Sequence, residues 1–375
     1  MIHRLYIILF VLMFLVTKVS AQSFLWDVDF YGFFDNREYK YDKQKSQTLF
    51  ATRLSPEIGV AVSGPKQASH RLMAGVSWIQ PIGGKAEEGS VDPTVYYRCV
   101  MPRFQMSFGL FPRTQLIEPL PSYMQYDSLT YYNPNITGAL FQYSGSRGSI
   151  EMYIDWRQMQ TKKRREAFNI VASGKWQPGV FFLGGHIMMN HLARTIAAGD
   201  DQSVMDDMIV NPYIGADFAR YTPLSILSVK CGYLLSMERH RGLGEWHRPQ
   251  GFLCDIQGEW RWLGLHNTLY AGESQMPFYE QFGSQLNQGD PFFQSDFYNR
   301  TDIYAYIFHN SFVNCKASFN LHFTPGKISY QQQLSVRFYL DSERWKNRKN
   351  HIFMSDYILK HLYEFRGKSL IQFNA

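Results

Sequence analysis

After Val16 the sequence has no hydrophobic run long enough to form a transmembrane helix. A helical span needs about 20 consecutive apolar residues, whereas polar residues interrupt the apolar ones throughout this part of the chain. Apolar residues make up 45% of the sequence, yet the mean hydropathy is only -0.29. The pattern therefore excludes a helical membrane protein for the segment beyond residue 16.

Cysteine is scarce, and its spacing excludes a zinc or iron–sulfur site. The four cysteines are Cys99, Cys231, Cys254 and Cys315. Each falls on the apolar parity of a strand-like segment, which predicts small lipid-facing side chains with free thiols. Cys231 and Cys254 flank one predicted hairpin almost symmetrically and could lie opposite each other, although a disulfide there would be strained.

Charge of one sign is not concentrated on any predicted helix. The formal net charge is +6, but the basic residues do not accompany an aromatic RNA-binding signature, so no nucleic-acid partner is expected. The densest basic run, residues 162–165, lies between two strand patterns. It is predicted to be a solvated loop that faces anionic lipopolysaccharide or other polyanions outside the cell.

The N-terminus has the features of a secretory signal peptide. A basic start ending at Arg4 precedes an apolar run from Leu5 to Val16, and small residues follow at positions 19–21. This arrangement predicts that residues 1–21 are removed before Gln22. No cysteine follows the predicted cleavage point, which argues against a lipoprotein.

A two-residue rhythm runs through the rest of the chain. In the segment from Thr48 to Val62 the even positions are mostly apolar and the odd positions mostly polar, and the segment from Tyr330 to Leu340 repeats this pattern. Successive side chains of a strand point to opposite faces, so each segment has one apolar and one polar face. Segments of about 10 residues with this alternation are typical of a membrane-spanning β-barrel.

About sixteen such segments occur between residues 22 and 340, and the connections between them alternate between long and short. Bacterial barrels have long extracellular loops and short periplasmic turns. The fold class is therefore predicted to be all-β, a transmembrane antiparallel up-and-down β-barrel of about 16 strands. The third long connection, Pro112 to Thr137, is unusually long, and the last, Thr324 to Ile328, is short.

The strand number, the loop alternation and the long third loop resemble the porin-type outer-membrane barrels of Gram-negative bacteria. The passage Gly109-Leu110-Phe111-Pro112 is similar to that of porins of the Bacteroidetes type. The resemblance implies passive diffusion of small hydrophilic solutes, with the third loop folded into the lumen. We expect an outer-membrane location with both termini periplasmic. The expected partners are outer-membrane lipid and lipopolysaccharide, the barrel-insertion machinery and small hydrophilic solutes, with a homo-oligomer as an open alternative.

Charged side chains opposite the apolar face are the candidate pore-lining residues, and two charges of the third loop are candidates for a constriction. Both signs occur in similar number, so no selectivity for anions or cations is predicted. No cofactor and no metal site are expected. The candidates are Arg53, Glu57, Arg71, Arg98, Arg113, Glu118, Glu151, Asp155, Lys230, Glu238, Asp255, Glu259, Lys316 and Arg337.

Two other classes of function stay open. One is a plugged barrel that acts as a surface-binding or envelope-assembly scaffold through its long loops. The other is an outer-membrane hydrolase, for which His266 is a candidate base, but its parity points into the lumen and away from lipid. The acidic and aromatic connection from Glu273 to Arg300 is a candidate for binding sugar or Ca²⁺, although ordinary packing is the simpler expectation. We therefore expect a protein that is not an enzyme.

The C-terminal segment, residues 341–375, does not fit the barrel pattern. It begins with basic residues, and apolar residues then recur at helical spacing from Met354 to Phe365 after a candidate cap, Ser355. This spacing predicts either a periplasmic amphipathic helix or a disordered tail.

Overall fold

The computed structural model describes residues 22–199 and 202–346, and these residues form a closed antiparallel β-barrel. Within them the barrel has sixteen strands, and a two-residue segment, Trp246–His247, pairs with the eleventh at the rim. The strands are β1 Gln22–Glu38, β2 Gln47–Ser63, β3 Ser69–Pro81, β4 Ser90–Val100, β5 Phe104–Pro112, β6 Asn135–Ser144, β7 Gly148–Gln158, β8 Ala167–Trp176, β9 Phe181–Leu192, β10 Met205–Asp217, β11 Ile226–His240, β12 Gln250–Trp260, β13 Leu263–Gly272, β14 Phe297–His309, β15 Val313–Thr324 and β16 Lys327–Asp341.

Each strand pairs with its neighbours in sequence, and β1 closes the barrel against β16. Asp27 lies opposite Glu57 of β2 on one side and opposite Asp341 of β16 on the other. Closure pairs the backbone groups between strands and leaves no open sheet edge, as a structure that spans a bilayer requires. The fold class and the strand number predicted from the alternating pattern are confirmed.

The predicted parity is confirmed in β2. The odd positions Ala51, Arg53 and Glu57 are buried inside the barrel, whereas Ile58 and Val60 are at least half exposed on its outer face. An outer face of this kind is stable only in contact with lipid, so the apolar band marks the membrane-spanning zone.

Ile58→Arg tests this assignment. Ile58 is 60% exposed and lies in the middle of β2, so arginine there is expected to destabilise the barrel by about 2–4 kcal/mol. The matched control is Phe50→Arg near the long-loop end of the same strand, where the outward side chain is 44% exposed and the loss should be about 1 kcal/mol or less. Urea unfolding in lipid vesicles measures both values, and equal losses would show that the depth assignment is wrong.

The two ends of the barrel differ in their connections. One end carries short turns, such as residues 101–103 and 261–262, and the other carries the long connections, of which only residues 325–326 form a tight turn. The described helices are short: α1 Asp127–Tyr132, α2 Tyr279–Phe282 and α3 Ser342–Lys346. No helix among the described residues is long and apolar enough to cross a membrane. The predicted signal peptide and the predicted helix after Ser355 lie outside the described residues.

The prediction that two of the cysteines lie opposite each other across one hairpin is confirmed. Cys231 and Cys254 lie directly opposite each other on β11 and β12, with Sγ atoms 2.9 Å apart, and both are free thiols. Cys99 and Cys315 are also free, but they are buried rather than open to lipid. Neighbouring outward side chains therefore cover these two thiols.

Candidate functional site

The interior of the barrel is packed in its long-loop half. Every described strand of the barrel contributes an inward side chain that is at most 3% exposed. A wide water-filled pore would leave such side chains wet, so other parts of the chain must cover them. These inward side chains are, from β1 to β16, Phe33, Ala51, Ile79, Thr94, Phe111, Ile136, Tyr153, Val171, Met188, Met205, Leu234, Leu253, Tyr270, Tyr298, Asn320 and Gln331.

Two long connections fill this space. We call residues 113–134 loop 3, residues 273–296 loop 7, and the two together the plug. Loop 7 is anchored by Phe292 and Phe293, which have no exposed surface. The Phe292 ring stacks on Tyr298 and on His322, with centroid distances of 5.1 and 4.6 Å. This connection was a candidate site for sugar or Ca²⁺, but its aromatic residues form packing contacts, and no cluster of metal-ligand residues occurs in the described part of the chain.

Loop 3 crosses the lumen, as the porin resemblance implied. Its Tyr123 hydroxyl donates a hydrogen bond of 2.6 Å to the Asn211 side chain on β10. At its other end Tyr131 of α1 stacks on Phe33 of β1, with ring centroids 4.2 Å apart. The loop begins between β5 and β6, so these contacts fix it against well-separated parts of the wall.

The two loops also bind each other. The backbone N–H of Asp290 donates to the carbonyl of Ser122 at 2.8 Å, and that of Tyr126 donates to the carbonyl of Gln288 at 2.7 Å. At Gly289 a Cβ atom would lie 2.3 Å from the carbonyl oxygen of Tyr123, so the close approach of the loops requires glycine there. The plug is thus one packed unit.

Buried arginines of the wall hold loop 3. Arg37 is 1% exposed, and its guanidinium donates to the Tyr126 hydroxyl at 2.7 Å and to Ser128 at 2.6 Å, while it pairs with Asp35 at 2.6 Å. Arg300 pairs with Asp127 of α1 at 3.3 Å. This arginine holds the pKa of the Asp127 carboxyl below its ordinary value.

Several of the predicted pore-lining residues bind the plug. Glu151 accepts a hydrogen bond of 2.8 Å from the Ile117 backbone, and Glu238 accepts one of 3.0 Å from Asn287. Arg113 of loop 3 forms a buried ion pair with Asp155. Its charge is therefore paired at the wall, and the role of Arg113 and Glu118 in a constriction stays a prediction.

The other predicted residues also face the interior. Lys230 pairs with Asp255 at 3.0 Å, and Arg71 pairs with Glu343 at 2.8 Å. Glu259 accepts a hydrogen bond from Tyr304, whose ring lies under the Lys316 ammonium, and Glu118 borders a cavity of only about 10 Å³. The role of these residues as pore-lining groups stays a prediction.

A second space lies below the plug. A cavity of about 380 Å³, which we call the chamber, is bordered by loop 3, by the turn at residues 309–314 and by α3. Since that turn and the end of β16 belong to the short-turn end, the chamber is at the end opposite the long loops. It brings together Arg53, Glu57, Arg98 and Arg337 of the predicted set.

The docking of loop 7 is expected to depend on pH through Asp290. Burial raises the pKa of this carboxyl to about 6; its Oδ1 accepts hydrogen bonds from Gln44 and Phe292, and its Oδ2 has no partner within the described residues. As the pH rises, the Asp290 carboxyl of an undocked loop loses its proton near the ordinary pKa of about 3.9, which is a lower pH than in the docked loop. Docking is therefore strongest below pH 4 and weakens as the pH rises to about 6.

Hydrogen exchange of residues 286–294, corrected for the intrinsic rate, measures this effect. We expect slower exchange at pH 5 than at pH 7, and Asp290→Asn should remove the difference. Glu280→Gln is the matched control in the same loop, because Glu280 is largely exposed and its one ion pair among the described residues is with Lys43. Exchange that is independent of pH in the unaltered protein would contradict the prediction.

The structure brings together two histidine pairs that the sequence analysis missed. Ser173 and His186 lie opposite each other on β8 and β9, with Oγ and Nδ1 2.9 Å apart, but the adjacent cavity of about 10 Å³ has no room for a substrate. On the outer face of the rim His191 lies 3.4 Å from Asp206, which also pairs with Arg239 at 3.0 Å. Each pair lies across one hairpin. Aligning the two strands of that hairpin about their turn in the sequence would have placed the two partners opposite each other.

The fold of the chain is found in known outer-membrane channels. OccK5 (OpdH) of Pseudomonas aeruginosa is 8% identical, with a TM-score of 0.52, and the match covers 85% of this chain and 98% of that one. OccK2 (OpdF) of the same organism, solved in complex with glucuronate, is 7% identical, with a TM-score of 0.50 and coverage of 85% and 98%. At these identities the likeness concerns the fold, which is that of an outer-membrane porin-type barrel.

The chain also matches a family model. The family model described as lipid A 3′-O-deacylase-type matches residues 16–347. No curated protein matches the sequence. The family model thus covers all sixteen strands of the described barrel.

Proposed function

We propose that a gated channel for small polar solutes is the function of this chain, which belongs to the lipid A 3′-O-deacylase-type family and has the fold of an outer-membrane porin. The plug closes it at rest, and solutes pass when loop 7 and loop 3 leave the lumen. The sequence analysis predicted passive diffusion of small hydrophilic solutes, and in this proposal their passage depends on movement of the plug.

One observation carries the proposal: a charged chamber of about 380 Å³ lies directly below a plug that consists only of the barrel's own loops. A barrel that serves only as a scaffold has no need of such a space. The plug is held by hydrogen bonds to wall residues such as Arg37 and Asn211 and by the packing of Phe292 and Phe293 against the wall. A hydrogen bond of this kind exchanges for a bond to water at a net loss of about 1 kcal/mol, so release of the two rings is the main step that opening requires.

Single-channel recording of the mature protein in planar bilayers tests the proposal. We expect a record that is closed most of the time and interrupted by brief discrete openings. A large steady conductance would show that the plug does not close the lumen. A silent record, even after the plug anchors are removed as described in the Discussion, would favour the scaffold.

The second candidate function is chemistry or binding on lipid A at the outer rim, and the family description favours it. The outer face of the rim carries His191 beside Asp206, with the Phe168 ring 4.9 Å from His191. Arg239 and Arg241 flank the same carboxylate at 3.0 and 2.8 Å. A basic and aromatic surface at this level is suited to phosphorylated lipid headgroups.

Mass spectrometry of lipid A separates the two candidates. If the protein is an esterase, cells that express it should lose one 3′-linked acyl chain, and His191→Gln and Asp206→Asn should prevent the loss. Identical lipid A with and without the protein would exclude the esterase. His186→Gln is the control, because that histidine is buried in the lumen.

A further inference from the structure

We propose that the chamber is a binding site for small zwitterions, molecules that carry one ammonium and one carboxylate group, such as amino acids and short peptides. The inference deepens the proposed function, on which it rests, by naming the class of solute. It is carried by the charges of the chamber wall and by the polar atoms that have no partner within the described chain.

The acidic side of the chamber consists of Asp27 and Glu57, which lie directly opposite each other on β1 and β2. The Tyr96 hydroxyl donates to one carboxylate oxygen of Glu57 at 2.7 Å, and the other oxygen of this carboxylate is buried without a hydrogen-bond partner among the described residues. Neither carboxyl group forms an ion pair within the described part of the chain, because the nearby Arg53 and Arg337 pair with Asp29 instead. Two carboxyl groups on directly opposite residues of neighbouring strands repel each other when both are charged, which favours a shared proton or a bound cation.

The basic side of the chamber is formed by Arg98 on β4. Its guanidinium donates to the Gln105 side chain at 2.7 Å and forms no ion pair with any carboxylate that the structure describes. Arginine binds carboxylates through two parallel N–H groups. The chamber therefore offers a site for an ammonium group and a site for a carboxylate within one cavity.

Polar atoms without partners among the described residues also border the chamber. Arg53 Nε, Gln115 Nε2 and both side-chain polar atoms of Asn135 are buried and make no hydrogen bond within the described residues. All three side chains border the chamber. A buried polar atom without a partner costs about 1–3 kcal/mol, and a polar ligand that supplies donors and acceptors removes that cost.

Size and charge exclude other ligands. A volume of about 380 Å³ is at the lower end of the roughly 300–1,000 Å³ of small-molecule sites, so an oligosaccharide or an acyl chain does not fit. A dicarboxylate would place one negative group against Asp27 and Glu57, and a diamine would place one positive group against Arg98. A molecule with one charge of each sign avoids both conflicts.

The C-terminal end of the described chain borders the chamber. Arg344 of α3 donates to the carbonyl of Ser311 at 2.9 Å, and its guanidinium lies 4.6 Å from the centre of the Tyr339 ring. These contacts hold α3 at the short-turn end. Loop 3 therefore borders the site on one side and Arg344 of α3 borders it on another.

Calorimetric titration of the mature protein in detergent tests the inference. The probes are L-serine, ethanolamine, glycolate and glucose, titrated separately. We expect L-serine to bind about 10-fold more tightly than the other three, a difference of about 1.4 kcal/mol. Arg98→Gln should weaken serine binding by about the same factor and leave ethanolamine unchanged, whereas Glu57→Gln should weaken serine and leave glycolate unchanged.

Lys230→Gln is the matched control, since Lys230 faces the lumen outside the chamber and already pairs with Asp255. Arg98→Lys keeps the charge and should retain part of the affinity, provided that the barrel still runs faster unheated than boiled on a gel. Equal binding of glucose and serine, or binding of no probe, would overturn the inference. Binding is measured without transport, so serine binding by a protein that never conducts would refute the gated channel and leave the zwitterion site intact.

Discussion

Replacing both Phe292 and Phe293 by alanine is expected to convert a mostly closed barrel into a conducting channel. The two rings have no exposed surface and anchor loop 7 against Tyr298, His322 and Tyr270. Each substitution should weaken the docking of the loop by about 3–5 kcal/mol. A loss of several kcal/mol changes the ratio of closed to open states by more than 100-fold, because 1.4 kcal/mol corresponds to a factor of ten.

Planar-bilayer recording measures this change as open probability at fixed voltage. Phe319→Ala is the matched control, because Phe319 lies on the outer face of β15 and is 40% exposed. It removes a ring of the same size without touching the plug, so its record should resemble that of the unaltered protein. A double variant that folds into the membrane and stays closed would mean that the lumen is blocked by something other than loop 7.

Arg37→Met is expected to destabilise the folded barrel by about 3–5 kcal/mol, because it removes one partner of a buried ion pair. The change abolishes the hydrogen bonds to Tyr126 and Ser128. It leaves Asp35, which has no exposed surface, with the amides of Gln331 and Gln333 as its side-chain partners among the described residues. Urea unfolding followed by the gel shift between unheated and boiled samples measures the loss.

Two further variants separate the effect of breaking the buried ion pair from the effect of removing an arginine elsewhere in the barrel. Arg71→Met breaks the partly exposed pair with Glu343, and its effect should be within about 1 kcal/mol. Asp35→Asn combined with Arg37→Met removes the unpaired charge and should recover part of the stability. If Arg37→Met were as mild as Arg71→Met, the contact between β1 and loop 3 would not stabilise the barrel.

The sequence alone located much of this architecture. The alternation in β2 assigned Arg53 and Glu57 to the interior and Ile58 to the outer face, and the structure agrees. The pattern works because a strand repeats every two residues, so each side chain's face can be read from its immediate neighbours. The register of Cys231 and Cys254 followed in the same way from the symmetry of one hairpin.

The candidate site was only partly predictable. The parity placed Glu238 and Asp155 inside the barrel, but nothing in their strands indicates that Glu238 accepts a hydrogen bond from Asn287 or that Asp155 pairs with Arg113. Both partners come from loops that have no repeating pattern. The length of the third loop indicated that it enters the lumen, yet it did not show which wall residues it meets.

The sequence by itself determined the barrel, its strand number and the two faces of each strand, because these depend on local alternation and on hairpins between neighbours. Only the tertiary structure decided that the lumen is closed. The Tyr123 hydroxyl binds Asn211, 88 positions further along the chain, and Arg37 binds Tyr126, 89 positions away. Contacts over such distances depend on barrel closure and on the path of each loop. The same closure brings Asp27, Glu57 and Arg98 to one chamber, and no single segment of the sequence encodes it.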